Sequence, residues 1–198
     1  MATGVAMFSA KVDGVAPLIM HSVVVLIDKD HPTTRRIAVL TGKGKRMTEE
    51  DRQELYRLEA TAGLYLNAEG RPYVPGNNID RCILDAARRE KLGKLIERGF
   101  LSDDALLVYD GPTTAAALWA DPKFRFIRPA ANGQRTIMRA RTWFQKWSFT
   151  TRVTVDTRLL DVDTAKRLFT AGIETEGLMD WRPRHGRGRV VSIADVTT

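Results

Sequence analysis

An α+β fold with the chain order strand, helix, strand, strand, helix, strand is what this 198-residue sequence predicts, on three observations. A partly alternating segment near the N-terminus, "VAMFSAKV", stops at Asp13-Gly14. Two amphipathic helical patterns, "NNIDRCILDAA" and "DVDTAKRLFTAGI", lie far apart in the chain. A long β-rich run, "MRARTWFQKWSFTTRVTVD", separates them, and "RVVSI" supplies a last strand. That order is the split β-α-β arrangement called ferredoxin-like, the βαββαβ core that RNA-recognition (RRM-like) modules share. Residues 1–198 read as one such domain, with a large insertion after the first strand from about Pro17 to Arg71.

Each element has its own signal. Val5 to Val12 alternates and predicts a strand; His21 to Ile27 is β-branched and predicts another. From Asp28 to Arg46 the chain is polar and broken by Asp30-His31-Pro32 and "TGKGKR", which predicts a mobile loop or hairpin with cations at its tip. Thr48 followed by Asp51 is a capping signal, and Leu55, Leu58 and Ala62 then mark one helical stripe. "GLYLNAEGRPYVPG" predicts a short hairpin turning near Glu69-Gly70. Asn77 or Asn78 is the expected cap of the next helix. Ile79, Cys82, Ile83, Ala86 and Ala87 form its buried stripe, and Gly93 is its expected stop. "KLIERG" predicts a brief second helix and Ala105 to Tyr109 a short buried strand. "KFRFIRP" alternates charged and apolar side chains, and "PAANGQR" reads as an exposed loop. Within the long run, Trp147, Phe149, Thr151, Val153 and Val155 point one way, and Ser148, Thr150, Arg152 and Thr154 the other. Asp161 or Asp163 caps the last helix, which buries Leu168 and Phe169.

Charge gives the first functional hint. Thirty-one Lys and Arg against twenty-four Asp and Glu leave a net charge of +7. The excess is uneven, since Lys123 to Arg152 holds eight basic residues and no acid. Such clustering suits a binder of phosphate backbones, and a solvated basic face is the plainer alternative. No apolar run approaches the ~18 residues of a membrane span, and no secretory signal is seen. The lone Cys82 cannot make an internal disulfide, so a cytoplasmic location is expected and no membrane partner. His21, His31 and His185 are far apart, and no Cys/His pair has ligand spacing. No metal and no cofactor is expected.

The strongest motif is "EGLMDWRPRHGRGRVVSI", with Arg182, Arg184, Arg187 and Arg189 in eight residues. Their guanidinium forks suit phosphate, and Trp181 suits base stacking. Gly177, Gly186 and Gly188 would let backbone N–H groups approach an anion. The competing reading is a hairpin whose arginines pair with Glu174, Glu176 and Asp180. The joint "PYVPGNNIDRCILDAA" places a helix N-terminus where a phosphate can sit, but a plain strand–turn–helix joint with an Asn cap is the preferred reading of these residues. "TGKGKR" lacks the P-loop spacing, so no nucleotide hydrolysis is assigned. His185 has the chemistry of a general acid or base, and Asp28 with Asp30 that of a metal-assisted nuclease; a solvated loop role outweighs both.

Two of these pieces carry a family resemblance. "YVPGNNIDRCILDAA" resembles the strand–Pro-Gly–helix joint of the RAMP superfamily, the repeat-associated proteins of CRISPR systems. "GLMDWRPRHGRGRV" resembles the glycine-rich loop before their last strand. Within that superfamily the chain is most similar to the backbone subunit that polymerises along guide RNA in multisubunit effector complexes of antiviral defence. Ile79, Asp80, Arg81 and Cys82 depart from the usual pattern of the joint, and the loop is richer in arginine than in glycine. The resemblance implies a non-catalytic subunit that binds single-stranded RNA, guide RNA first, or single-stranded DNA. It implies a homo-oligomeric filament, with copies of itself and other effector subunits as partners. The nucleic-acid-binding residues expected are Lys43, Lys45 and Arg46 as a finger, and Asn77, Asn78 and Arg81 at the joint. Arg135, Arg139, Arg141, Trp181, Arg182, Arg184, His185, Arg187 and Arg189 complete the set. The alternatives are a RAMP-type endoribonuclease using His185, and a phage or virion assembly protein whose basic face meets acidic protein neighbours.

Overall fold

The computed structural model describes residues 4–132 and 135–196, with side chains at all of these but 131, 132 and 135. Its elements, in order, are β1 (Val5–Gly14), β2 (Leu18–Met20), α1 (Val24–Ile27), α2 (Pro32–Gly42), α3 (Glu49–Ala62), β3 (Tyr73–Val74), α4 (Gly76–Arg89) and α5 (Gly93–Gly99). Then come β4 (Phe100–Ser102), β5 (Ala105–Leu106), α6 (Ala115–Ala120), β6 (Arg125–Asn132), β7 (Arg135–Phe144), β8 (Ser148–Asp156), α7 (Val162–Ala171) and β9 (Gly188–Val196). The chain is α+β, with antiparallel strand pairing throughout the described ladders. Among the described residues no helix is long and apolar enough to cross a membrane.

The chain divides into two compact units. The first takes the residues up to Leu18, Pro72–Asp110, and those from Gln145 on. Its sheet has the order β4-β8-β1-β9. The alternation read in β1 and β8 sets its two faces. Phe8, Ala10 and Val12 of β1 and Phe149, Val153 and Val155 of β8 are all buried. They meet Ile79, Ile83, Leu168 and Phe169 of α4 and α7, which are also buried, and Phe8 meets Phe169 edge-on at 6.0 Å. Each aromatic sealed this way contributes about 1.5–3 kcal/mol relative to an exposed ring. Lys11, Thr150 and Arg152 point to the opposite, open face.

Both helices begin and end by local chemistry. Asp161 accepts from the Thr164 N–H at 2.9 Å and caps α7. Neither Asn77 nor Asn78 caps α4; Pro75 stands at that position, and the Gly76 N–H is taken by Asp104 Oδ1 at 2.8 Å. Gly93 does not stop α4 either. Lys91 adopts a left-handed φ of 63°, and the Leu92 N–H reaches back to the Ala87 carbonyl, closing the helix two residues earlier. Gly93 instead opens α5.

The second unit comprises Ile19–Arg71 and Gly111–Phe144, so the expected insertion is joined by a later segment that the sequence did not assign to it. Its sheet runs β2-β7-β6. The expected single long strand is two strands, β7 and β8, which belong to different sheets and break at Gln145–Trp147. Tyr56 and Ala60 of α3 pack on Ala140 of β7, with Trp119 and Ile127 beside them. Buried Glu59 accepts from the Ala140 N–H at 3.1 Å and pairs with Arg139.

Two expectations fail here for identifiable reasons. The β-branched run after His21 forms the single helical turn α1, packed beside α2, rather than a strand. The polar stretch after Asp28 is mostly the helix α2. Pro32 reads as a breaker but sits at the first helical position, where its missing N–H does no harm, and His31 Nδ1 accepts from the Thr33 N–H at 3.2 Å. The Thr48–Asp51 capping box forms as expected.

Candidate nucleic-acid interface

The arginine stretch between α7 and β9 is a loop with a fixed backbone. Leu178 is fully buried and anchors it, and its N–H donates to the Gly186 carbonyl at 2.9 Å. Gly186 (φ 74°) in turn donates to the Pro17 carbonyl at 2.8 Å, and the Arg187 carbonyl accepts from the N–H groups of Val15 and Ala16. A Cβ at Gly186 would lie 2.0 Å from the Leu178 carbonyl oxygen, and one at Gly188 2.6 Å from Val12. The loop glycines therefore serve the loop's own close packing. The expectation that Gly177 and Gly186 present free N–H groups to an anion is corrected, since Gly177 donates to Gly172 and Gly186 to Pro17. Met179 and Trp181 hold left-handed φ values of 62° and 58° without being glycine, a strain that only a well-determined loop sustains.

On this frame the arginines separate into two kinds. Arg182 is 27% exposed and reaches Asp85 of α4 at 3.3 Å. Arg184, Arg187 and Arg189 are exposed, and among the described residues they make no ion pair. Trp181 is half-buried, with its ring 6.2 Å from that of His185. Burial, and then the charge of Arg184, hold the His185 imidazole below its ordinary pKa. The competing reading pairs the loop arginines with Glu174, Glu176 and Asp180, but the acids that pair here belong to other partners. Glu176 pairs with Arg89 at 2.7 Å, while Asp85 takes Arg182.

Asp85 joins the loop to the helix. Arg81, Arg88 and Arg182 all converge on it, at 3.3, 3.1 and 3.3 Å. Asn77 and Asn78 lie one turn before Arg81 on α4, the first exposed and the second half-buried. Three guanidinium groups around one carboxylate leave a positive surface. Asp85 and Arg88 were absent from the expected site, yet their spacing to Arg81, i+4 and i+7, already places them on one helical stripe. Beneath this stripe the Cys82 thiol donates to the Gly172 carbonyl at 3.0 Å, and burial pushes its pKa up to about 12, so it stays a thiol. Asp80 faces β4, accepts from the Ser102 N–H at 2.9 Å, and is pushed by burial up to about 6. Among the described residues no group of three His, Cys, Asp or Glu could hold a metal ion.

The first unit holds Asn77, Asn78, Arg81, Trp181, Arg182, Arg184, His185, Arg187 and Arg189; of these, Arg81 meets Arg182 at Asp85, and Trp181 lies beside His185. The other expected residues belong to the second unit. Lys45 and Arg46 are exposed in a short helical turn after α2. Lys43 is tied to Asp51 at 2.6 Å, which holds that carboxyl below its usual range. Arg139 pairs with buried Glu59, and Arg141 is only 8% exposed and donates to the Ala140 carbonyl. Both are engaged within the fold, which the free backbone-tracking role expected of them did not foresee. Arg135 begins β7, and its side chain lies outside the described residues. The open face of the β4-β8-β1-β9 sheet carries no aromatic residue among those described, unlike RNA-recognition modules that stack bases there.

No family model matches this sequence, and no curated protein sequence matches it. By structure it is similar to a chain in the cryo-EM structure of the Type III-B Cmr-beta bound to cognate target RNA. The TM-score is 0.56 over 98% of this chain, at 12% identity, and this chain spans 61% of the length of that one. At that identity the likeness is one of fold.

Proposed function

We propose that this chain is a non-catalytic, single-stranded nucleic-acid-binding subunit, with RNA as its ligand and copies of itself along the strand. The observation that carries the reading is the arginine loop, which holds Arg184, Arg187 and Arg189 in the open on a backbone fixed by its own glycines. Permanent cations without acid partners are matched by phosphates. Arg81 and Arg182 beside them share a single carboxylate, which deepens the positive potential.

The fold supports the same reading. In the β4-β8-β1-β9 sheet, α4 lies between β1 and β4 in sequence and α7 between β8 and β9. That order supports the reading of a ferredoxin-like β-α-β-β-α-β core, with the second unit as excursions from it. The likeness to a chain of an RNA-bound Cmr-beta structure makes RNA the first ligand to test and a CRISPR-associated, RAMP-like role the reading to test it against. Partners of effector-complex type and a cytoplasmic location follow from the same reading.

The test is binding of labelled single-stranded RNA and DNA by the purified chain, together with its sizing profile and its A260/A280 ratio. RNA-dependent assembly and copurified nucleic acid are expected. Absence of binding to either oligomer at low salt overturns the proposal.

A further inference from the structure

The second unit presents a surface of different chemistry on its three-stranded sheet. Cross-strand pairing sets Phe126 opposite Arg141 and Arg128 opposite Arg139, so these four share one face, with Trp143 two positions beyond Arg141. The other face, with Ala140 and Thr142, packs on α3. Along the first face the side chains stack in a row. Trp143 lies against Phe126 with ring centroids 5.0 Å apart, and the Arg128 guanidinium lies over the Phe126 ring at 5.5 Å. Trp143 Nε1 donates to the Lys123 carbonyl at 2.9 Å, which holds the half-buried indole in place.

Arg128 and Arg125 sit on the same strand and differ in what they bind. Arg125 donates to the carbonyls of Trp119 and Ala120 at 2.5 and 3.0 Å, closing the C-terminal end of α6. Arg128 is exposed and donates to the neighbouring Ile127 carbonyl, and among the described residues it has no acidic partner. It stands directly opposite Arg139. Like charges in that position repel unless an anion joins them, and Glu59 compensates only Arg139. From Lys123 to Phe144 the sequence has six basic residues and no acid.

Phe126 and Arg141 are buried on this face, and Arg128 with the half-buried Trp143 forms its accessible strip. We propose that this strip of β6 and β7 is a second contact surface for single-stranded nucleic acid. A base stacks on Trp143, and a phosphate is held by Arg128 opposite Arg139. A fixed, half-exposed indole beside an unpaired guanidinium is the combination that single strands use, because every base offers a flat face and every nucleotide a phosphate. The surface supplies the stacking that the open sheet of the first unit lacks. The inference rests on the single-stranded reading above and adds a site on the second unit.

The experiment measures fluorescence anisotropy with labelled oligo(U) and oligo(dT) across a salt series. Wild type is compared with Arg128→Gln, Trp143→Ala, Trp143→Phe and the triple loop variant Arg184→Gln/Arg187→Gln/Arg189→Gln. Trp143→Ala should weaken binding by between about 5- and 150-fold, the loss of one stacked base, with the salt slope unchanged. Trp143→Phe should recover most of that loss. Arg128→Gln should lower the salt slope by about 0.7. The loop variant should keep residual binding that Arg128→Gln then removes. Because Trp143→Ala can disturb the hairpin, quenching of tryptophan fluorescence in a Trp181→Phe variant provides a second readout: quenching by oligo(dT) should persist. A wild type that binds while Arg128→Gln binds identically, or while Trp181→Phe shows no quenching, overturns this site and leaves the loop proposal standing. A wild type that binds neither oligomer overturns both.

Discussion

Arg182 and Arg184 stand two positions apart and do different work. Arg182 is spent on Asp85, whereas Arg184, with Arg187 and Arg189, points away from the fold. Replacing those three by Gln should change stability by only about 0.5 kcal/mol each, while cutting affinity sharply and lowering the salt slope by roughly 2. Thermal unfolding and binding isotherms on the same variant check this; a variant that melts far lower yet binds normally when folded shows the arginines to be structural. Asp80 makes a second residue-level case. Its carboxyl is raised from 3.8 to about 6 by burial, with the Ser102 hydrogen bonds opposing the shift. Well below pH 3.8 it is protonated in both folded and unfolded chains and costs nothing. As pH rises towards 6 the unfolded chain gives up its proton first, so stability falls through that window and the penalty is constant above it. Asp80→Asn keeps an acceptor for the Ser102 N–H and cannot ionise. It should therefore melt higher than wild type at pH 7, by an amount on the order of 1–3 kcal/mol, and match wild type at about pH 3. Equal melting at both values would show that the buried carboxylate is relieved by something else.

At the scale of elements, the loop between α7 and β9 depends on its glycines as the sheet depends on its alternation. Gly186→Ala would place a Cβ 2.0 Å from the Leu178 carbonyl, at a φ of 74° that alanine disfavours. It should lower stability by about 1–3 kcal/mol and weaken binding by misplacing Arg184 and Arg187, a coupling of the two losses that the arginine variants should not show. Circular-dichroism melts beside anisotropy titrations distinguish the two cases. In the second unit, Thr48 and Asp51 cap α3 reciprocally, and α3 carries the Glu59 that holds β7. Thr48→Ala should cost about 1 kcal/mol and leave the salt slope of binding untouched, since no cation is lost. A changed slope in that variant would tie α3 directly to the ligand.

For the molecule as a whole, the excess of seven positive charges predicts steep salt dependence. Affinity for single strands should fall by orders of magnitude between about 50 and 300 mM salt, because each neutralised phosphate contributes a slope of about 0.7. A flat response contradicts phosphate tracking. No cleavage of bound RNA is expected. Asp28 and Asp30, the acids with the best claim to a metal, are already used locally: Asp28 accepts from the Asp30 N–H at 2.9 Å, and Asp30 pairs with Arg35 at 2.6 Å. Gel analysis of RNA incubated with Mg²⁺ or Mn²⁺ checks this, and cleavage abolished by Asp30→Ala or His185→Ala would reverse it.

Periodicity and local chemistry by themselves determined the α+β class, the two faces of β1 and β8, the buried stripes of α4 and α7, and the caps at Thr48 and Asp161. Each depends on residues within a few positions of one another, so each was legible in the chain. Tertiary structure decided what depends on distant partners. Continuous β propensity from Met138 to Asp156 could not show that β7 and β8 separate into different sheets. That division follows from which strands pair, β7 with β6 and β8 with β1 and β4. The polar, proline-broken stretch after Asp28 could not reveal a helix that packs beside α3, where the exposed Arg36–Glu54 pair joins the two. The arginines could be counted in the sequence. Whether each one lacks an acidic partner among the described residues, as Arg184 and Arg128 do, or is committed to one, as Arg182 to Asp85 and Arg139 to Glu59, was set by where the fold carried an acid. A guanidinium next to a carboxylate is neutralised, and one without it remains a site for a phosphate.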